Sequence, residues 1–293
     1  LRGYGDSVRP LYFVAVACVA NVILDVVFVA GFHLGASGTA LATVISQGLS
    51  MFLGIAYLKR HAFLFDFKPA SFRIARPMAK ELARVGIPIS FQELMVRISF
   101  LYLTAVMNGC GVYAAAVVGI GAKYDVFSML SATSVANALA ALTAQNTGAG
   151  KPARAWRSLW YGLAFALGAA FVFWTWAQWN PESMIRLFSD DPGVTAAGVP
   201  YFRACSYDYL MVAFVFCLNG YLNGRSKTLW TMVSCTCGAL FLRIPLVWYV
   251  GNHFAQDLGM LGTAAPVVSG MMAAYTLLYV LWEGRKQRVF RGN

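Results

Sequence analysis

Eight ionisable side chains lie inside long apolar runs: the acids Asp25, Glu93, Asp125 and Asp208 and the bases Arg97, Lys123, Arg203 and Arg243. A charge at the centre of a hydrocarbon layer costs roughly 3 kcal/mol even on insertion scales, so each is a candidate for binding, proton relay or ion pairing. Asp25 is the sharpest of them. Asn21 precedes it by four residues, so on a helix the carboxylate and the amide share a face. Together they offer the oxygens that a Na+ ion or a proton would need. An acid paired with a buried base for packing, or one hydrated near an interface, is the plainer alternative. Thr43, in the next apolar run, could add a hydroxyl, although threonine is common wherever membrane helices touch.

The remaining groups are less pointed. Glu93 follows Gln92, and Arg97 stands four residues beyond it, where an ion pair is natural; a structural pair and a part in substrate or cation binding both fit. Lys123 and Asp125 are two residues apart, so they face different directions and need separate partners, in an internal salt bridge or in a substrate cleft. Asp208 and Arg203 are expected near the outer end of their run, within reach of water. Arg243, two residues before Pro245, reads as a structural anchor. His61 and Asp66 have the His-x4-Asp spacing of some membrane acyltransferases, in which His is a general base, but no other part of such a site accompanies them. Phosphate-cradling glycine loops, nucleophile elbows and metal-spaced His pairs are absent from the sequence, so neither an enzyme nor a cofactor is expected. The six cysteines lie mostly in apolar runs and read as packing residues; Cys235 and Cys237 have no His nearby to complete a metal site.

These residues require elements that cross a membrane. Of 293 residues only 12% are charged and 59% are hydrophobic, and the mean hydropathy is +0.62. Long uncharged runs would leave a soluble protein covered in apolar patches, which excludes a soluble enzyme, a disulfide-stapled module and a disordered tail. Eight runs approach the length of about 20 residues that a spanning helix needs: 10–31, 37–58, 86–108, 114–143, 157–179, 199–221, 229–250 and 260–282. The net charge of +11 does not mark a nucleic-acid partner, because the basic residues sit between hydrophobic runs; the lipid bilayer is the partner they fit. With alternate connections assigned to alternate sides, 18 Lys and Arg fall on one side and Arg186 alone on the other. Cytoplasmic loops carry that excess, so both ends of the chain and the basic stretch from Lys59 to Arg84 are expected in the cytoplasm.

That stretch divides two spans from six, giving residues 1–58, a loop at 59–85, a six-helix part at 86–284 and a basic tail at 285–293. A weak repeat crosses the divide. Gly35, Gly38, Thr39 and Ala40 recur as Gly259, Gly262, Thr263 and Ala264, and Gly5, Asp6 and Ser7 align with Gly224, Arg225 and Ser226. Membrane proteins that carry solutes build two lobes around a midplane site from such repeats. The repeat equates the first two spans with the last two; the first lobe should then also hold six, with four helices expected before Leu1.

At this point the sequence resembles the multidrug and toxin extrusion (MATE) family, in its bacterial DinF-like branch. Leu1 to Ser7, Asn21 to Asp25 and Gly35 to Gln47 resemble the family's fifth and sixth helices. Gly86-Ile87-Pro88 is similar to its seventh, Ala144 to Lys151 to the end of its eighth, and Arg243-Ile244-Pro245 to its eleventh. The resemblance implies an all-α membrane protein whose eight transmembrane helices are equivalent to helices 5–12 of a twelve-helix, two-lobe fold. It implies an antiporter of the bacterial plasma membrane, a monomer when complete, that exports lipophilic cationic drugs or toxins against a H+ or Na+ gradient. It also implies a cation site of Asn21, Asp25 and Thr43, joined by an Asp from a first helix absent here, and a weaker role for Glu93. A lipid-linked oligosaccharide flippase of the same superfamily, with a more cationic cleft, and a non-transporting fragment are the alternatives.

Overall fold

The computed structural model describes residues 6, 8–60, 75–254 and 257–286. Among them there are helices and no strands, as a hydrocarbon environment demands, because a helix satisfies its backbone polar groups internally. The helices are α1 (Val8–Val26), continued by a π-helical segment Val27–Gly31; α2 (Gly35–Arg60); α3 (Arg76–Gly109); α4 (Val112–Gly148); and α5 (Pro152–Trp179). They continue with α6 (Pro181–Arg186); α7 (Pro192–Gly224); α8 (Thr228–Cys237), continued by a π-helical segment Gly238–Arg243 into α9 (Ile244–His253); and α10 (Leu258–Lys286). Eight helical stretches are long and apolar enough to cross a membrane, and each coincides with one expected span.

Two details differ from the expectation. The basic stretch 59–85 is not loop throughout, since α3 already begins at Arg76. Pro77 sits in its first turn, where a missing N–H costs nothing, and the turns before Gly86 carry Lys80, Glu81 and Arg84, polar enough to extend the helix past the hydrocarbon. The short α6 was not expected from apolar length. Capping makes it: Asn180 Oδ1 accepts from the Ser183 amide at 3.2 Å, and Pro181 stands at the first position. Asp191 starts α7 in the same way, its carboxylate accepting from the Gly193 amide at 2.7 Å. His61 and Asp66 lie outside the described residues, as does most of the basic tail.

The chain forms two compact units, Leu1–Ala79 and Lys80–Asn293. In the first, α1 and α2 make a hairpin whose turn passes through His33 and Gly35, both at φ 54°. Its buried residues, Ala17, Gly38, Ala42 and Ser46, are all small, so the two axes approach closely, as interfaces between membrane helices favour. Arg9 closes the basic end, 2.9 Å from Asp6 and over the Tyr57 ring.

The second unit is built around α7. Any Cβ at Gly220 or Gly224 would collide with the carbonyl oxygen of Ala136 or Ala140, respectively. Both contacts carry the same offset of 84 residues, so α4 and α7 run side by side, parallel and in fixed register. On another face of α7, a Cβ at Gly262 of α10 would lie 2.8 Å from the Tyr201 carbonyl oxygen. Leu139, Leu159, Leu163, Phe202 and Tyr221 fill the core among α4, α5 and α7.

Candidate functional site

Two polar regions lie at membrane depth, one in each unit. In the hairpin, Asn21 and Thr43 line a single groove of about 250 Å³ together with Cys18, Ser46, Gln47 and Ser50. Asp25 stands one turn beyond Asn21 and is not among the groove's walls. Asn21 Nδ2 and Asp25 Oδ1 are buried and lack a hydrogen-bond partner among the described residues. A buried polar atom normally has a partner; of these two the carboxylate oxygen is the acceptor that a cation or a proton could satisfy, whereas the Asn21 amide nitrogen is a donor and only its Oδ1 could coordinate. The Thr43 hydroxyl donates to the Thr39 carbonyl at 2.9 Å, which leaves its oxygen lone pairs able to accept or coordinate. Just after Asp25, α1 widens into the π-helical Val27–Gly31, a distortion that is frequent at functional sites because it shifts the backbone and the side chains around it.

The second region joins α3, α4, α7, α10 and the segment ending at Arg243. Arg243 is buried; its Nη1 donates to Ser99 Oγ at 3.2 Å, and its guanidinium lies 4.3 Å from the centre of the Phe100 ring. Asp125 and Asp208 are within electrostatic reach of it and of each other. The sequence expectation for Asp208 is therefore corrected. It is only 5% exposed, because the register of α7 turns it inward onto α10, where Ser269 faces it. Arg243 is an anchor with named partners: Ser99, Phe100 and the two acids.

Gln92, Glu93, Asn219, Arg243 and Ser269 share a cavity of about 90 Å³ with apolar side chains that include Met129 and Met272. At roughly 30 Å³ per water it holds about three waters and is too small for a drug-sized ligand, which takes about 300 Å³ or more. Glu93 and Arg97 are 4.0 Å apart but both largely exposed, so that pair contributes little. Lys123 and Asp125 do part company: the Lys123 ammonium lies 4.5 Å from the centre of the Phe188 ring, away from the acids. The structure thus brings Gln92 and Glu93 together and groups Asp125 with Arg243, but leaves Lys123 outside. Sequence reasoning passed over Asn219 and Ser269 because neutral polar residues do not stand out in apolar runs. Asn219 had a signal, standing eleven residues from Asp208, three turns along one face of α7.

Residues 88–249, more than half of the chain, match the MatE family. The chain belongs to the MatE family. Among curated relatives, this MatE chain is 26% identical over 98% of its length to the probable multidrug resistance protein YpnP of Bacillus subtilis, of which it covers 64%. It is 24% identical over 97% of its length to the probable multidrug resistance protein NorM of Thermotoga maritima, covering 63%. The chain spans less than two thirds of the length of these relatives. A MATE crystal structure superposes on all of this chain with a TM-score of 0.88 at 18% identity, over 65% of that protein. A MATE transporter from Vibrio cholerae does so over 99% of the chain and 66% of its own, with TM-score 0.84 and 18% identity. At that identity the likeness is one of fold, and the fold is that of MATE transporters.

Proposed function

We propose that this chain is the part, equivalent to helices 5–12, of a DinF-like antiporter of the bacterial plasma membrane. It uses a H+ or Na+ gradient to export lipophilic cationic compounds, with Asn21, Asp25 and Thr43 holding the coupling cation. The observation that carries the reading is the buried carboxylate oxygen Asp25 Oδ1, an acceptor without a hydrogen-bond partner among the described residues, one turn from Asn21 and a groove that also presents Thr43. Names of relatives support the exported class: one similar protein from Staphylococcus haemolyticus is a multidrug export protein. In this reading both termini and the stretch 59–85 lie in the cytoplasm, and Gln92, Glu93 and Asp125 face the substrate path, while Lys123, over the Phe188 ring, stands apart from it. Four further helices, one bringing another Asp to the cation site, complete the first lobe.

One coupling charge is energetically sufficient. Moving it down about 100 mV releases roughly 2.3 kcal/mol, which sustains about a 40-fold substrate gradient at 1.4 kcal/mol per tenfold. Neutralising Asp25 by a proton or by Na+ changes what α1 tolerates around it, and a cation that binds one lobe conformation better than the other shifts the balance between them. Asp25→Asn in the complete protein is expected to abolish uphill efflux of a lipophilic dye cation, with unchanged membrane insertion. Efflux at the native rate by that variant would remove Asp25 from the mechanism. Imposing a Na+ gradient and a pH gradient separately on proteoliposomes identifies the coupling ion by which one drives the dye.

A further inference from the structure

In the second unit the two acids sit between halves of opposite character. Toward the ends that carry Lys151, Arg225 and Lys227, polar side chains descend one face of α4 and one of α7. They are Asn137 and Thr133, four residues apart on α4, and Asn223 and Asn219, four apart on α7, with Asn219 eleven residues from Asp208, spacings that keep each group on one side of its helix. The fixed α4–α7 register, with its offset of 84 residues, sets these two rows side by side and brings Asp125 level with the neighbourhood of Asp208.

Two cavities fill the space between the rows. The outer one, about 230 Å³, is lined by Thr133, Asn137, Asn219 and Asn223. The inner one, about 90 Å³, reaches Arg243. Gln92, Glu93, Phe216 and Asn219 belong to the walls of both, so the two cavities adjoin at these side chains. Gln92 Oε1, Asn219 Oδ1, Asp208 Oδ1 and Arg243 Nε along this line are buried without a hydrogen-bond partner among the described residues. A surface presenting Asn137 and Glu93 is too polar to face lipid, and orphaned polar atoms beside a cavity that admits water are satisfied by water.

The other half is closed. Tyr124, Tyr201, Phe202 and Tyr209 are all buried; Tyr124 meets Trp176, Phe188 and Phe202 edge to face and gives its only polar group to the Met184 carbonyl at 2.9 Å. The Tyr209 hydroxyl is unpartnered among the described residues, but around Tyr124 the packed rings leave water no room.

We propose that the second unit contains a one-sided water path, running from its basic end through the two cavities to Arg243 and Ser269, and sealed from the opposite end by the aromatic layer around Tyr124. Its occupants are water and the protons that water carries, which gives Asp208, held by Ser269 at the end of the path, protonic contact with one side of the membrane only. The path does not depend on Asp25 being the coupling group.

Side-specific thiol labelling in proteoliposomes tests it. The probe is the membrane-impermeant, permanently charged methanethiosulfonate ethyltrimethylammonium, added to one side at a time and read residue by residue by mass spectrometry, so that the other native cysteines can stay. Lys151→Cys and Asp190→Cys identify the two sides. Asn137→Cys and, independently, Thr133→Cys should react at least tenfold faster from the Lys151 side than from the Asp190 side. Native Cys235, which lines the inner cavity and accepts from Asn219 Nδ2 at 3.2 Å, should react more slowly from that same side, and about tenfold faster once Asn219→Ala thins the wall. Equal reaction from both sides, faster reaction from the Asp190 side, or protection of both introduced cysteines would overturn the proposal. Because the measurement reads access and not efflux, its failure leaves the Asp25 experiment untouched.

Discussion

Arg243 illustrates how much a buried charge depends on its neighbours. Its guanidinium is held by one hydroxyl and one aromatic face, while the compensating charge comes from Asp125 and Asp208 on two other helices. Among the described residues no ion pair within 4 Å joins them, so removing the nearby positive charge should cost less than the about 3–5 kcal/mol of a broken buried pair. Arg243→Met should still lower the melting temperature of the purified protein, and adding Asp208→Asn should return at least half of the loss, because the two effects share one interaction. Strictly additive losses would mean that the charges do not support each other. At the same scale, spacing alone put Asp25 one turn from Asn21, but only Asn21 lines the groove. The sequence misplaced Asp208, because distance from a span's end says nothing about which way the side chain turns.

Among the elements, the parallel pair of α4 and α7 controls the geometry of the second unit. Gly220 and Gly224 are spaced by one turn so that one helix backbone rests directly on the other, the four-residue small-residue pattern of membrane helix contacts. Gly220→Ala should destabilise the protein, because the new methyl meets a backbone carbonyl that cannot swing aside; overpacking of this kind costs about 1–3 kcal/mol. Gly119→Ala, in the same α4 but with open space around it, should be neutral or stabilising by up to about 1 kcal/mol through helix propensity alone. Thermal unfolding of the two variants in one detergent compares them directly, and equal destabilisation would refute the close-approach argument. The eight spans themselves were legible from apolar run length. The π-helical segments after Asp25 and before Ile244 were not, since no residue pattern distinguishes them from the α-helix around them.

For the whole molecule, the distribution of basic residues makes a prediction that fold alone does not. With 18 Lys and Arg on one set of connections and Arg186 alone on the other, Lys151→Cys should be labelled by an impermeant thiol reagent only after the cytoplasmic face is opened, and Asp190→Cys should be labelled in intact cells. The reverse result would invert the orientation and place the proposed water path on the external side. Number and approximate ends of the helices followed from the sequence alone, because apolar length reports the solvent each segment meets. Which polar residues meet each other did not follow. Asn219 and Ser269 carry no charge, Asp208 and Arg243 lie 35 residues apart, and only the register fixed by glycine contacts between helices decides that Asn219, Ser269 and Arg243 face one small cavity, with Asp208 against Ser269.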